Sequence, residues 1–469
     1  MSPTASRTAV LTFGVLLIGA STTAVWLVIA SAQGYVNLAW TAAAVLALSL
    51  LAAALIRRIR IVTHPLVPWV VGLASLMASL LPWWLLTSGQ TQSAGLIYQG
   101  LKVPQGIIQF WDLALVLESV DCARWGFDIY AVSNGCLADP SIYAPGMVWL
   151  QYVPGKIFSE VNAGWLGLLM IIISSLALLM LARWSTGLGH VAFLIAAVGA
   201  PWVLLLERGN VDAVVIWVAV ITVALAYRWN STATWTIAAI LIWLMGTWKY
   251  YPFVLGLLLL PALAIRRGWM IVVGFLVATF GYLVFTWEGL RTSSAASSAM
   301  VDFGDFVVLG RTPVVARMAG HAEGIGTWQV GDLLMIVIGL LAVALGFLVA
   351  WRDRLQTPLM GALATAGGVV YLTVVLIAGF GYGYKATFLL LAVPLLANWP
   401  ATKSKAMVAV GIAAVLLIGI ESVVVWNTVL VTLAGVIAAG LATGAGASVM
   451  LRSDLGSLSS RLLSTRSPD

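Results

Sequence analysis

The sequence predicts an all-α integral membrane fold, a polytopic bundle of about 14 transmembrane helices with two long loops on its outer face. Three observations carry that expectation. Of the 469 residues, 62% are apolar and 9% charged, where soluble domains carry roughly 25% charged residues. Apolar runs of about 20 residues recur along the whole chain, each long enough to cross about 30 Å of hydrocarbon as a helix. These runs are continuous rather than alternating, which excludes the strands of a transmembrane barrel. Third, basic residues concentrate in alternate short turns between the runs, the asymmetry expected of cytoplasmic turns.

The spans fall at 9–31, 36–56, 66–87, 162–182, 190–206, 210–227, 232–250, 252–265, 269–287, 332–351, 358–380, 386–399, 406–425 and 428–450. Residues 1–65 read as an N-terminal two-helix addition. One arginine precedes the first apolar run, which is longer than a signal-peptide core, so it is expected to be a retained span. Residues 66–400 form the core, with outer loops 88–161 and 288–331. Residues 401–451 hold the last membrane helices and 452–469 a cytoplasmic tail. With the N-terminus inside, the turns after every second span carry RRIR, Arg183, Arg228, Arg266 with Arg267, WRDR and KSK, and the tail opens LRSD. Together with Arg7, this side holds 15 of the 24 Lys and Arg but only 3 of the 17 acids. Both termini are therefore expected in the cytoplasm of a multi-pass plasma-membrane protein. The net charge of +7 is a topology signal, because it is spread over short turns and forms no patch for nucleic acid.

Long loops are uncommon unless they are functional or disordered. The first outer loop holds the most acidic stretch of the chain, Gln109–Leu150, with Asp112, Glu118, Asp121, Asp128, Asp139 and both cysteines. Trp111, Leu115, Glu118 and Cys122 stand at helical spacing, and AGLIYQGLKV and GMVWLQYV are expected to be helices lying in the membrane interface. An aspartate such as Asp112, held on a helix at the membrane surface, can act as general base toward a hydroxyl or orient a cation. The plainer reading is that it favours the start of a surface helix. Cys122 and Cys136 lie in a loop facing an oxidising compartment and are candidates for a disulfide, the alternative being two unpaired small apolar side chains. The second outer loop opens as a Ser/Ala linker, RTSSAASSAM, and continues with Asp302, Asp305, Arg311, Arg317, His321 and Glu323.

Strongly polar residues also stand at the outer ends of spans. Glu207, Arg208, Asn210 and Asp212 are wedged between two apolar runs, an arrangement that is costly unless they face a polar cavity or each other; a plain turn with a Glu–Arg pair is the alternative. Lys249 and Lys385 lie beside tyrosines on the side where positive charge is not expected, either snorkelling in an aromatic belt or binding a phosphate. With Arg208, Arg311, Arg317 and His321 they make six outer-face cations, of which at least two are expected to hold the phosphate of a membrane-borne substrate. Glu421, late in an apolar span, reads either as a proton relay or as an interfacial residue met by water. Two cysteines and the scattered His64, His190 and His321 assemble no metal site. No glycine-rich phosphate loop follows a strand, so cytosolic nucleotide hydrolysis is not indicated.

Three local patterns resemble the polytopic GT-C glycosyltransferases that use polyprenyl-phosphate sugars, particularly actinobacterial mannosyltransferases of phosphatidylinositol mannoside synthesis. They are Asp112 followed by G-x-D-x-Y at Gly126, Asp128 and Tyr130; a G-[QN]-V-[ND] turn at Gly209, Asn210, Val211 and Asp212; and K-x-x-P at Lys249 and Pro252. The resemblance covers residues 66 to 400. It implies a GT-C-like fold whose helices surround a groove at the outer leaflet, where a polyprenyl-phosphate sugar meets a lipid or glycan acceptor. The sugar implied is mannose or arabinose-like. The base role maps onto Asp112, with Asp121 as competitor nine residues on and nearly opposite on a continuous helix. Lys249 matches a family position for the donor phosphate, while Asn210, Asp212, Asp128 and Tyr130 are candidate polar residues of the groove. The donor is itself the substrate, so no cofactor is implied, and metal dependence and oligomeric state are left open. A flippase or transporter of a lipid-linked saccharide, and a polysaccharide polymerase or ligase, are the competing classes.

Overall fold

The structure, a computed structural model, describes residues 65–100, 103, 109–131, 135–137, 141, 143–265, 267–289, 330–355, 357–375, 383–399 and 435–452. Among these residues every regular element is helical. Spans 9–31, 36–56 and 406–425 lie outside them, as do Glu421, the tail beyond Arg452, and the second outer loop with Arg311, Arg317 and His321.

Among the described residues six helices are long and apolar enough to cross a membrane. They are α1 (Val67–Thr87), α4 (Ala163–Arg183), α7 (Asp212–Trp229), α9 (Gly268–Phe285), α10 (Val330–Asp353) and α13 (Gly435–Arg452). Two shorter α-helices precede α4: α2 (Thr91–Gly100) and α3 (Trp111–Arg124). The single span expected over 190–206 is instead two helices, α5 (Leu188–Ala197) and α6 (Ala200–Glu207), bent by 48°. Gly199 is extended at the break, and Pro201 at the start of α6 sets the new direction without sacrificing an internal hydrogen bond. α8 (Thr232–Trp248) begins at a reciprocal capping box between Ser231 and Thr234.

Two further expected spans depart from the α-helix. Residues Tyr251–Ala264 and Gly383–Ala392 are 3-10 helices, the second running into the short α12 (Val393–Ala397). Pro261 explains part of this, because an internal proline lacks the donor for an α-helical bond and clashes with the preceding turn. The geometry has a consequence for length. At about 2.0 Å rise per residue a 14-residue 3-10 segment reaches roughly 28 Å, close to the hydrocarbon thickness that the same residues as α-helix would fall well short of. Of the span expected over 358–380, α11 (Pro358–Thr373) and the two residues after it are described, and residues 376–380 lie outside the described ones.

Chain direction sorts the ends of the bundle. α7 runs from Asp212 to Arg228 and α8 returns to Lys249, so Asp212 and Lys249 share one end and Arg228 lies at the other. The loop elements join the first end: the amides of Phe110 and Asp112 donate to the carbonyls of Glu207 and Arg208, and Ala144 N–H donates to Trp248 O. Arg183, Arg352 and Arg452 close α4, α10 and α13 at the far end, where Trp399 donates to Asp353 and Arg452 to the Trp351 carbonyl. The apolar core lies between α4, α6, α7, α8, α11 and the two 3-10 segments, while α1, α9 and α10 present rows of large exposed apolar side chains. α13 is packed backbone to backbone on two neighbours: a Cβ on Gly444 would overlap the Val343 carbonyl of α10, and one on Gly446 the Gly361 carbonyl of α11.

Candidate functional site

The loop end of the bundle is organised by the turn between α6 and α7. Gly209 has φ +60°, a conformation that favours glycine, and a Cβ there would lie 2.9 Å from Leu113 Cβ. The absence of a side chain lets the first turn of α3 sit directly on this turn. That docking carries Asp112 onto the residues flanking Gly209. Arg208 Nη1 donates to Asp112 Oδ1 at 2.9 Å, and Asn210 Nδ2 donates to Asp112 Oδ2 at 2.6 Å. Asp112 lies in the first turn of its helix, where negative charge is also favoured by the peptide dipoles.

Asn210 faces two ways. Its Oδ1 accepts from the Asp212 amide at 3.0 Å and from Lys249 Nζ at 3.1 Å. Asp212, 0% exposed, takes Lys249 Nζ on Oδ1 at 2.5 Å together with the Tyr251 hydroxyl, and Lys385 Nζ on Oδ2. Lys249 lies 5.4 Å from the Tyr143 ring centroid, and Lys385 at the same distance from that of Tyr251, near enough for cation–π attraction. Two carboxylates, three cations and one amide thus form a continuous network drawn from four separate stretches of chain. Within it Asp212 is sealed, whereas the Arg208 and Lys249 side chains keep 21% and 15% of their surface.

The other predicted residues fall into different roles. Asp121 is on the same continuous helix as Asp112, but its carboxylate is not in the network. It accepts from Arg124 Nη1 at 2.5 Å, Ser159 Oγ at 2.7 Å and the Glu160 amide at 3.0 Å. Arg124 in turn donates to the carbonyls of Gln151 and Phe158, so the pair clamps α3 to the segment Pro145–Asn162. Asp212 does not line a groove either, since burial makes it a shared counter-ion. Asp128 accepts from the Tyr130 amide, and the Tyr130 hydroxyl donates to the Tyr143 carbonyl at 2.9 Å. The G-x-D-x-Y pattern therefore reaches the network indirectly, by placing Tyr143 against Lys249. Burial first, then the tyrosines at 250 and 282, push the Tyr130 hydroxyl well above the usual tyrosine range, so it stays a proton donor. Cys122 and Cys136 form a disulfide with Cα atoms 5.9 Å apart, tying the end of α3 to the loop that follows.

Tyr251 and Tyr143 were not expected as members. Tyr251 adjoins Lys249 in the KYYP run, a weak signal, and Tyr143 has none in the sequence. His190 lies outside the network, against the Ala182 carbonyl. Among the described residues no three His, Cys, Asp or Glu side chains gather as metal ligands.

No protein-family model matches this chain, and neither a curated protein nor a solved structure does. Fold and composition define the class as an all-helical membrane protein, with a buried charged network at one end of the bundle.

Proposed function

We propose that this chain is a GT-C-like glycosyltransferase, moving a mannose or arabinose-like sugar from a polyprenyl-phosphate donor to a lipid or glycan acceptor at the outer face of the plasma membrane. The observation that carries the reading is the adjacency of Asp112 to Arg208 and, through Asn210, to Lys249. Sugar transfer from a lipid phosphate needs a base beside the acceptor hydroxyl and cations beside the departing phosphate, and the network places both kinds of group together. Asp112 takes the proton of the acceptor hydroxyl. The freed oxygen attacks the anomeric carbon, and the bond from that carbon to the phosphate oxygen breaks with its electron pair leaving on the phosphate. Arg208 and Lys249, the more accessible cations, meet the charge that develops there, while Asp212 holds Lys249 and Lys385 in place from below. Inversion at the anomeric carbon is expected. The clustering of Arg183, Arg228, Arg352 and Arg452 at the far end supports a cytoplasmic far end and an outer site.

Transport is less well supported, because it calls for polar groups along a path through the bilayer, whereas this network is confined to one end. Asp112→Asn tests the reading, since it keeps the shape of the side chain. The purified variant should fold as the native chain does yet transfer no sugar from a polyprenyl-phosphate donor in liposomes; near-native transfer would remove Asp112 as the base.

A further inference from the structure

The segment joining α3 to α4 leaves much of its apolar surface uncovered. Tyr152 and Val161 are 78% and 87% exposed, Trp149 and Ile157 are also exposed, and Trp165 in the first turn of α4 is 76% exposed. Contiguous apolar surface of this kind marks a contact with another phase or partner. The segment is not a loose loop. Two of its three 3-10 turns, Pro145–Tyr152 and Glu160–Asn162, are clamped to α3 by Arg124 and Asp121, and its start is fastened to the bundle by Gly146 N–H on the Tyr282 hydroxyl and Ala144 N–H on Trp248 O. Trp149 stacks against Trp243 of α8 with ring centroids 5.9 Å apart, so the exposed aromatic is held rigidly.

What covers this surface is indicated by its continuation. Val161 and Trp165 stand four residues apart and lead directly into Leu169, Ile172 and Leu176, the exposed apolar stripe of the membrane helix α4. One unbroken apolar strip therefore runs from the lipid-facing side of the bundle onto the segment. We infer that Pro145–Asn162 is an interfacial membrane strap, whose exposed side is sunk into the boundary between headgroups and acyl chains. Its charged residues are Lys156 and Glu160, of opposite sign, so burial of apolar surface holds it there and attraction to anionic lipid does not. Tyr143, two residues before the strap, lies against Lys249, which sets the network at headgroup depth. A substrate reacting there is one whose polar group is carried by a lipid.

Site-directed spin labelling of the full chain in liposomes tests this. The two native cysteines are joined to each other, so an introduced cysteine is the only thiol to label. Labels at Val161→Cys and Tyr152→Cys are compared with Leu169→Cys, on the lipid face, and Asp128→Cys, on the exposed loop. At both strap positions collisions with oxygen relative to a water-soluble nickel chelate should exceed those at Asp128 several-fold and approach those at Leu169. The ratio should be unchanged between neutral vesicles and vesicles containing anionic lipid. Ratios like that of Asp128 would overturn the strap, and so would shielding from both probes, which would mean that another part of this chain or a second copy covers the surface. A ratio that rises only with anionic lipid would overturn the apolar origin of the contact. Because no readout depends on catalysis, failure here leaves the transferase reading standing, and the reverse also holds.

Discussion

Asp212 and Gly209 show how much of the site rests on single residues. Two ammonium groups converge on the Asp212 carboxylate, which has no access to water. Removing one partner of a buried ion pair typically costs about 3–5 kcal/mol, because the remaining charge is left uncompensated. Asp212→Ala should therefore lower the thermal midpoint in detergent far more than Asp112→Ala, whose partner Arg208 retains some contact with solvent. An equal shift for the two would mean that Asp212 is not the shared counter-ion. Gly209→Ala faces a left-handed conformation, costing roughly 1–2 kcal/mol for a residue with a Cβ, and a contact with Leu113 as well. It should loosen α3 from the α6–α7 turn, read as faster amide exchange at Asp112 and Leu113. The chemical types at these positions could be read from the chain, because polar residues between apolar runs are conspicuous. Their pairing could not: nothing local says that Asn210 bonds Asp112, about a hundred residues away, or that Lys385 reaches Asp212.

At the level of elements, α3 is held to the strap by the carboxylate–guanidinium clamp and to the loop that follows it by the disulfide, and together they form one layer. In the chain-entropy account a crosslink closing about 15 residues contributes about 3 kcal/mol. Reduction of Cys122–Cys136 should make this layer protease-sensitive while the membrane helices stay protected; cleavage patterns identical before and after reduction would show that the clamp alone suffices. Glu118 adds a pH dependence. Burial, and then the neighbouring Glu160, raise its carboxyl above the usual 4.5, so the folded layer binds this proton more tightly than the unfolded chain does. The stability contributed by the protonated form is complete below that usual value and is lost as pH rises through the raised one. Glu118→Gln should accordingly slow amide exchange in α3 at neutral pH and make no difference in acid. Helical spacing made α3 visible in advance, and GMVWLQYV, expected as a helix in the interface, is helical but as the 3-10 turn Pro145–Tyr152, after which Pro154 and the left-handed Gly155 break the ladder.

Over the whole molecule, the packing of α13 against α10 and α11 depends on glycines that bring backbones into contact. Gly444→Leu should push α13 away from α10 and reduce the yield of monodisperse protein, while Gly274→Leu, at an open position on α9, should leave it unchanged. The membrane class and the helical architecture followed from composition and from the length of the apolar runs. Those are properties of each stretch against its solvent, and a stretch carries them wherever it folds. The bend between α5 and α6, the 3-10 form of two apolar segments and the different partners of Asp112 and Asp121 came only with the three-dimensional arrangement. Each depends on which distant group meets a given side chain: Arg208 and Asn210 turn one aspartate toward the network, Arg124 and Ser159 draw the other into a clamp, and both lie on the same helix.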